Sequence, residues 1–179
     1  DLKQEFGFDK TQSQPKNVSI LSKKFLIKTL KTNGLFFDFT IGVKEKGKPF
    51  FINNKEVCFS ISHSKHYVAI VIDNQQVGAD IEEIRQGKKS IAERFFAKEE
   101  NDYLNNYKED TYDKAFTQLW TMKESFVKQN GEGIADNFNT KKIVPKQFSF
   151  ETTISYGDLK IYSKFIEDKN LFFSICYSN

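Results

Sequence analysis

The chain has 179 residues, 19 of them phenylalanine, and a formal net charge of +3 at pH 7. That length suffices for one compact domain or two small lobes sharing an interface. The charge mildly favours anionic partners but falls far short of a nucleic-acid binder's usual excess. Two cysteines, Cys58 and Cys176, sit in apolar runs and form neither a disulfide framework nor a CxxC metal knuckle. Buried thiols in a reducing, cytoplasmic compartment are therefore expected. No apolar run is long enough to span a bilayer, and no signal peptide is visible. The chain starts at Asp1 rather than at a methionine, which leaves room for leader residues ahead of it.

In chain order, residues 1–18 are polar and weakly patterned, with a loop at Ser13-Gln-Pro15. Ser19 to Thr32 reads as a helix, with Ile20, Ile27 and Leu30 on one face and Lys24, Lys28 and Lys31 on another. Asn33-Gly34 stops it. An extended stretch, Leu35 to Val43, precedes a charged turn ending in Gly47-Lys48-Pro49. Val57 to Ile61, Tyr67 to Asp73 and Val77 to Glu82 read as strands, with Ser62-His63-Ser64-Lys65-His66 as a polar link after the first. Ser90 to Arg94 and Lys98 to Asn106 suggest short helices. Thr111 to Gln129 reads as the longest helix, capped by Thr111 and ended by Gly131. Strands at Gln147 to Ser155, Leu159 to Ile166 and Leu171 to Tyr177 close the chain. A faint echo joins Cys58-Phe-Ser-Ile-Ser to Phe172-Phe-Ser-Ile-Cys.

The chemistry concentrates between Val77 and Gly133. Asp80 and Glu82 stand two apart after a glycine, and on a strand such positions point to one face, so both carboxylates can reach one ion. On the long helix, Trp120, Glu124 and Lys128 fall at i, i+4 and i+8 and form one stripe. Taken singly, the pair on the strand reads as solvated surface, and Glu124 with Lys128 as an ordinary intrahelical salt bridge. Together, three carboxylates beside a lysine suit a hard cation that holds a phosphorylated substrate. Trp120 and the Phe95-Phe96 pair read as core. No second histidine accompanies His63 as a metal ligand, His66 reads as surface, and no G-x-S-x-G elbow supports a serine hydrolase. Gly131 and Gly133 are too few and wrongly placed for a phosphate-cradling loop.

Five elements in order, Gly47-Lys48-Pro49, Phe59-Ser-Ile-Ser62-His63-Ser64, Gly78-Ala-Asp80-Ile-Glu82, Arg94-Phe95-Phe96 with Glu100, and Trp120-x-x-Lys123-Glu124-x-x-x-Lys128, resemble the 4′-phosphopantetheinyl transferases. The resemblance is to the larger monomeric type that activates peptide and polyketide synthetases, and it covers about Gly47 to Gly133. It implies an α+β fold of two similar lobes related by a pseudo-twofold axis, residues 1–75 and 76–179, with a seam near Asn74 to Val77 and the active site between them. It implies Mg²⁺, with Mn²⁺ as an alternative, shared by Asp80, Glu82 and Glu124. It implies coenzyme A as substrate, contacted by Lys48, Pro49, Ser62, His63 and Lys128, with Lys23 or Lys24 near its 3′-phosphate. Glu124, Lys128 and Glu100 would be catalytic, and Lys123 mainly structural or a weak substrate contact. The proton acceptor for the attacking serine is open among Glu124, Glu100 and a metal-bound water. An acyl or peptidyl carrier protein would be the partner, docking at Glu83 to Ile91 with Arg85, Lys88 and Lys89 facing an acidic helix. Three alternatives remain: a homologue that binds coenzyme A without turnover, a module holding single-stranded nucleic acid on its aromatics, and a different Mg²⁺-dependent phosphotransferase. The second is disfavoured by the low charge, so neither nucleic acid nor membrane is expected.

Overall fold

The computed structural model describes residues 14–87, 89–131 and 138–179, with the backbone alone for 14–17. Ser13, Lys88 and Gly133, each given a part above, lie outside the described residues. Helix α1 (Gln14–Thr32) is followed by the hairpin β1 (Ile41–Val43) and β2 (Pro49–Phe51), and then by a second hairpin, β3 (Cys58–His63) and β4 (Val68–Asp73). Strand β5 (Gly78–Glu83) leads to α2 (Lys89–Phe95), α3 (Lys98–Leu104) and the long α4 (Glu109–Asn130). Strands β6 (Glu151–Tyr156), β7 (Leu159–Ile166) and β8 (Leu171–Ser178) complete an antiparallel sheet ordered β5-β8-β7-β6. The fold is α+β. Among the described residues no helix is long and apolar enough to cross a membrane.

Buried side chains gather in two clusters. Leu26 and Leu30 of α1 meet Phe51 and Phe59 in one. The other fills the space between α4 and the four-stranded sheet with Phe116, Leu119, Met122, Phe126, Ile161 and Cys176. Each fully buried side chain of this kind contributes about 1.5–3 kcal/mol relative to exposure. Helix α4 carries Glu109 and Asp110 in its first turn and Lys128 in its last, a distribution that complements the helix dipole. Gly131 ends it in the left-handed region, φ 74°, with its N–H bonded to the Val127 carbonyl.

Several expectations shift. The first helix includes Gln14 to Asn17, ahead of the expected start at Ser19, so Pro15 lies in the helix and not in a loop. Its buried face is Leu21, Leu26 and Leu30, and Ile20 is exposed. The extended stretch before the charged turn contracts to Ile41–Val43, and a short strand opens on Pro49, a position where proline is tolerated. Ser62 and His63 belong to β3, paired with Ala69 and Val68, rather than to the link. The long helix starts at Glu109, two residues before the expected Thr111 cap.

Strand β5 and helix α4 are in direct backbone contact. A Cβ on Gly78 would stand 1.9 Å from the Ser125 carbonyl oxygen and 2.3 Å from the Gln129 nitrogen. Only glycine permits that approach. It brings the start of the Asp80 strand onto the end of the Glu124 helix.

Candidate active site at the junction of β3, β5 and α4

Strand β3 reaches β5 through side chains. The Ala79 N–H donates to Ser60 Oγ at 2.9 Å, and Ser62 Oγ donates to Asp80 Oδ1 at 2.6 Å. From α4, the Lys128 ammonium donates to the same Asp80 oxygen at 2.6 Å and to Ser62 Oγ at 3.0 Å. Asp80 is 4 % exposed, and its other oxygen, Oδ2, is buried without a hydrogen-bond partner among the described residues. The ion pair of Lys128 thus crosses to β5 instead of following the helix to Glu124, as the spacing alone suggests. An aspartate on a neighbouring element at short range outcompetes a weak i, i+4 surface pair.

Glu124 is buried. Burial, then the negative charges of Asp80 and Glu82, push its carboxyl up to about 7, against the pull of Lys128 and Arg85. Glu82 is half-buried, and its carboxyl is raised first by burial and also by Asp80. The three acidic residues therefore feel one another's charge across the strand–helix contact. Among the described residues, however, no three His, Cys, Asp or Glu side chains stand close enough to hold a metal ion as they are. The Lys128 ammonium is seated on Asp80 in this arrangement.

A cleft of about 290 Å³ opens beside this group. It is lined by Gly47, Lys48, Pro49, Ser60, Ile61, Glu124 and Lys128, among others. Three segments far apart in the chain thus face one space. A second cleft of about 290 Å³ shares Lys48, Pro49 and Phe59 with it. Lys48 does not simply add charge to the turn. Its Nζ donates to the Gln129 carbonyl at 2.5 Å and the Val77 carbonyl at 3.2 Å, tying the β1–β2 hairpin to the end of α4 and the start of β5. Burial and the nearby Lys44 pull its ammonium down to about 8.

Other expected site residues are placed differently. His63 ends β3 and is exposed. Lys23, on α1, is half-exposed and does not line the first cleft. His66 is on the surface, as expected, with Nδ1 2.6 Å from Glu83. Arg85 is not a free surface cation. Its guanidinium stacks 4.5 Å from the Trp120 ring centre and acts electrostatically on Glu82 and Glu124. Trp120 itself packs with Phe95, Phe96, Phe116 and Phe138, as a core residue.

Glu100 is not joined to the Asp80 group. It is fully buried and paired with Lys123 at 2.6 and 2.8 Å, and it also accepts from the Ala97 and Ile143 N–H groups. A base needs an oxygen within reach of its proton, and the contacts of both Glu100 oxygens are with these internal donors. Lys123 is structural, as its position 100° round the helix from Glu124 suggests. The bond made by Ser60, the backbone approach at Gly78 and the tie made by Lys48 escaped the sequence reading. Of these only Gly78 carried a signal, a glycine opening a strand.

Comparison with known proteins matches residues 76–171 to the 4′-phosphopantetheinyl transferase superfamily. The chain is 40 % identical over 108 residues to the 4′-phosphopantetheinyl transferase ffp of Bacillus subtilis, covering 58 % of this chain and 48 % of that protein. It is 36 % identical over 123 residues to the 4′-phosphopantetheinyl transferase Sfp of B. subtilis strain 168, covering 67 % and 55 %. It is 34 % identical over 148 residues to the 4′-phosphopantetheinyl transferase gsp of Aneurinibacillus migulanus, covering 76 % and 60 %. The chain spans about half the length of curated relatives it matches. With a family match over more than half of its residues, at the segment that holds β5 and α4, the chain belongs to the 4′-phosphopantetheinyl transferase superfamily and is of its Sfp-like type.

Proposed function

We propose that the protein transfers 4′-phosphopantetheine from coenzyme A to a serine of an acyl or peptidyl carrier protein and releases adenosine 3′,5′-bisphosphate. The observation that carries this reading is the cleft shared by Lys48-Pro49, Ser60-Ile61, Glu124 and Lys128, with Asp80 hydrogen-bonded to Lys128 behind it. It offers apolar walls, the ammonium groups of Lys48 and Lys128 and the Glu124 carboxylate in one space, which suits a nucleotide carrying a pyrophosphate.

The acidic set fits a divalent cation. Asp80 Oδ2 is buried and unpartnered among the described residues, and Glu124 holds its proton up to about 7, so negative charge is under-compensated there. All donors are carboxylate oxygens, which favours a hard ion, Mg²⁺ with Mn²⁺ as an alternative. Asp80, Glu82 and Glu124 would hold it, with Lys128 withdrawing from Asp80 toward substrate phosphate. Such an ion supplies neutralisation of charge at the phosphorus under attack and on the leaving group.

Lys128 brings a cation that can move between Asp80 and a phosphate oxygen. Ser62, now donating to Asp80, orients that carboxylate. Lys48 holds Pro49 and the hairpin against α4 and so fixes one wall. The seryl oxygen forms its bond to phosphorus as the bridging P–O bond breaks, and its proton must be taken up. Glu124 is the carboxylate that lines the cleft, and it is our assignment for the acceptor. His63 and Lys23 would act as outer phosphate contacts. The working unit would be a cytoplasmic monomer of two lobes, 1–75 and 76–179, a division supported by the two separate buried clusters. Chromatographic detection of adenosine 3′,5′-bisphosphate, dependent on both apo-carrier protein and Mg²⁺, tests the reading. No release with any of several carriers would overturn it.

A further inference from the structure

We propose that Glu100 is a positioning residue: through its buried ion pair with Lys123 it fixes the rotation of α4 that presents the next residue, Glu124, to the cleft. This rests on the transferase reading above.

The pair is fully enclosed, with side-chain exposures of 1 % for Lys123 and 0 % for Glu100. All three Lys123 ammonium protons have acceptors: the two Glu100 oxygens at 2.6 and 2.8 Å, and the Lys141 carbonyl at 2.7 Å. The rings of Phe138 and Phe96 lie 5.0 and 5.8 Å from the same ammonium. Glu100 in turn accepts from Ala97 N at 2.7 Å and Ile143 N at 2.8 Å. One carboxylate thus registers the start of α3, the middle of α4 and the segment around Ile143.

Stability is a weak reason to keep such a group. A buried ion pair costs desolvation, and well-packed apolar residues of similar volume often serve as well or better. What a fully satisfied pair supplies is one defined placement. Glu124 follows Lys123 directly, about 100° round the helix, so the rotation that seats Lys123 also sets the direction of Glu124. The opposite flank is gripped by Gly78, whose Cα lies against the Ser125 and Gln129 backbone. Gly78 sets how close α4 comes to β5, and Glu100 sets which way it faces. An error of about 1 Å at a reacting group can cost about 100-fold in rate.

The double variant Glu100→Gln/Lys123→Met removes both charges. The amide still accepts from a backbone N–H, and methionine keeps the length of the lysine stem. A control, Leu26→Ala in the α1 cluster, lowers Tm without touching α4. The proposal expects the double variant to lose at least about tenfold in kcat while KM for coenzyme A stays level, and the control to keep wild-type kcat at a Tm as low or lower. Wild-type kcat in the double variant would overturn it. If that variant does not fold, Glu100→Asp, with the same charge and one methylene less reach, replaces it with the same two outcomes. A wild-type chain that transfers nothing overturns the transferase reading instead. Mn²⁺ binding then decides: about tenfold weaker binding in the variant supports positioning, and equal binding, or none in either chain, overturns it.

Discussion

Lys128 Nζ lies 2.6 Å from Asp80 Oδ1, so the basic residue at the end of α4 is the counter-ion of a buried aspartate 48 positions earlier. Among the described residues the same aspartate keeps its second oxygen without a partner. On the proposed reading, the Lys128 ammonium occupies the side of Asp80 that a divalent cation would take, and ligand binding would exchange one for the other.

Lys128→Met should expose that exchange. The variant leaves Asp80 buried without its charge partner, which costs about 3–5 kcal/mol for an enclosed pair and less here, because Lys128 is about one-third exposed; about 1–3 kcal/mol is expected. Adding Mg²⁺ should raise Tm more in the variant than in the wild type, since the competing ammonium is gone. Transfer should nevertheless fall steeply, because the phosphate loses its lysine. Thermal unfolding with and without Mg²⁺ checks the first two, and a transfer assay the third.

Gly78→Ala should break the site from its scaffold. The new methyl would meet backbone, not flexible side chains, at 1.9 and 2.3 Å. Helix α4 must then move off β5, at a cost of about 1–3 kcal/mol or more. Urea unfolding should show a lower midpoint at unchanged slope, and transfer should fall more than stability does, since Glu124 moves with α4.

The raised Glu124 carboxyl makes a signed prediction. Its ordinary value is 4.5 and its folded value about 7, so between these the folded chain binds more protons than the unfolded chain. Without Mg²⁺, the stability it contributes is full below pH 4.5 and is lost as pH rises through 7, up to about 3 kcal/mol in all. Glu82, also raised, adds in the same direction. Urea midpoints at pH 5, 6, 7 and 8 in chelator should therefore decline. Glu124→Gln should flatten the decline, and so should Mg²⁺ in the wild type.

Lys48→Met should loosen the junction without emptying the acidic set. It removes the ammonium from the Gln129 and Val77 carbonyls, at about 1–2 kcal/mol for charged hydrogen bonds at a helix C-terminus. KM for coenzyme A should rise severalfold with kcat nearly held, which steady-state kinetics would reveal.

The elements that carry the expected site residues were legible in the sequence. The strand that carries Asp80 and Glu82, the helix that carries Trp120, Glu124 and Lys128, and the strand Leu159–Ile166 are all where periodicity and glycine stops put them. What escaped depends on contacts far apart in the chain. Spacing offers Lys128 the nearby Glu124, and only the approach of β5 to α4 offers it Asp80. Glu100 looks like a solvent-facing helix carboxylate or a catalytic one until Lys123 is seen beside it, 23 positions on. Ile20 fits a helical stripe that the neighbouring strands do not cover. The pairing of Ser62 and His63 within β3 overrode their polar, loop-like composition.

The central claim is that this junction performs the transfer with Glu124 at its heart. Intact-protein mass spectrometry of apo-carrier proteins, incubated with coenzyme A and Mg²⁺ and either the wild-type chain or Glu124→Gln, tests it most directly. The account predicts a gain of one phosphopantetheine with the wild type, none in chelator, and none with a folded Glu124→Gln variant. Full modification by Glu124→Gln at saturating Mg²⁺, or none by the wild type on any carrier, would contradict it.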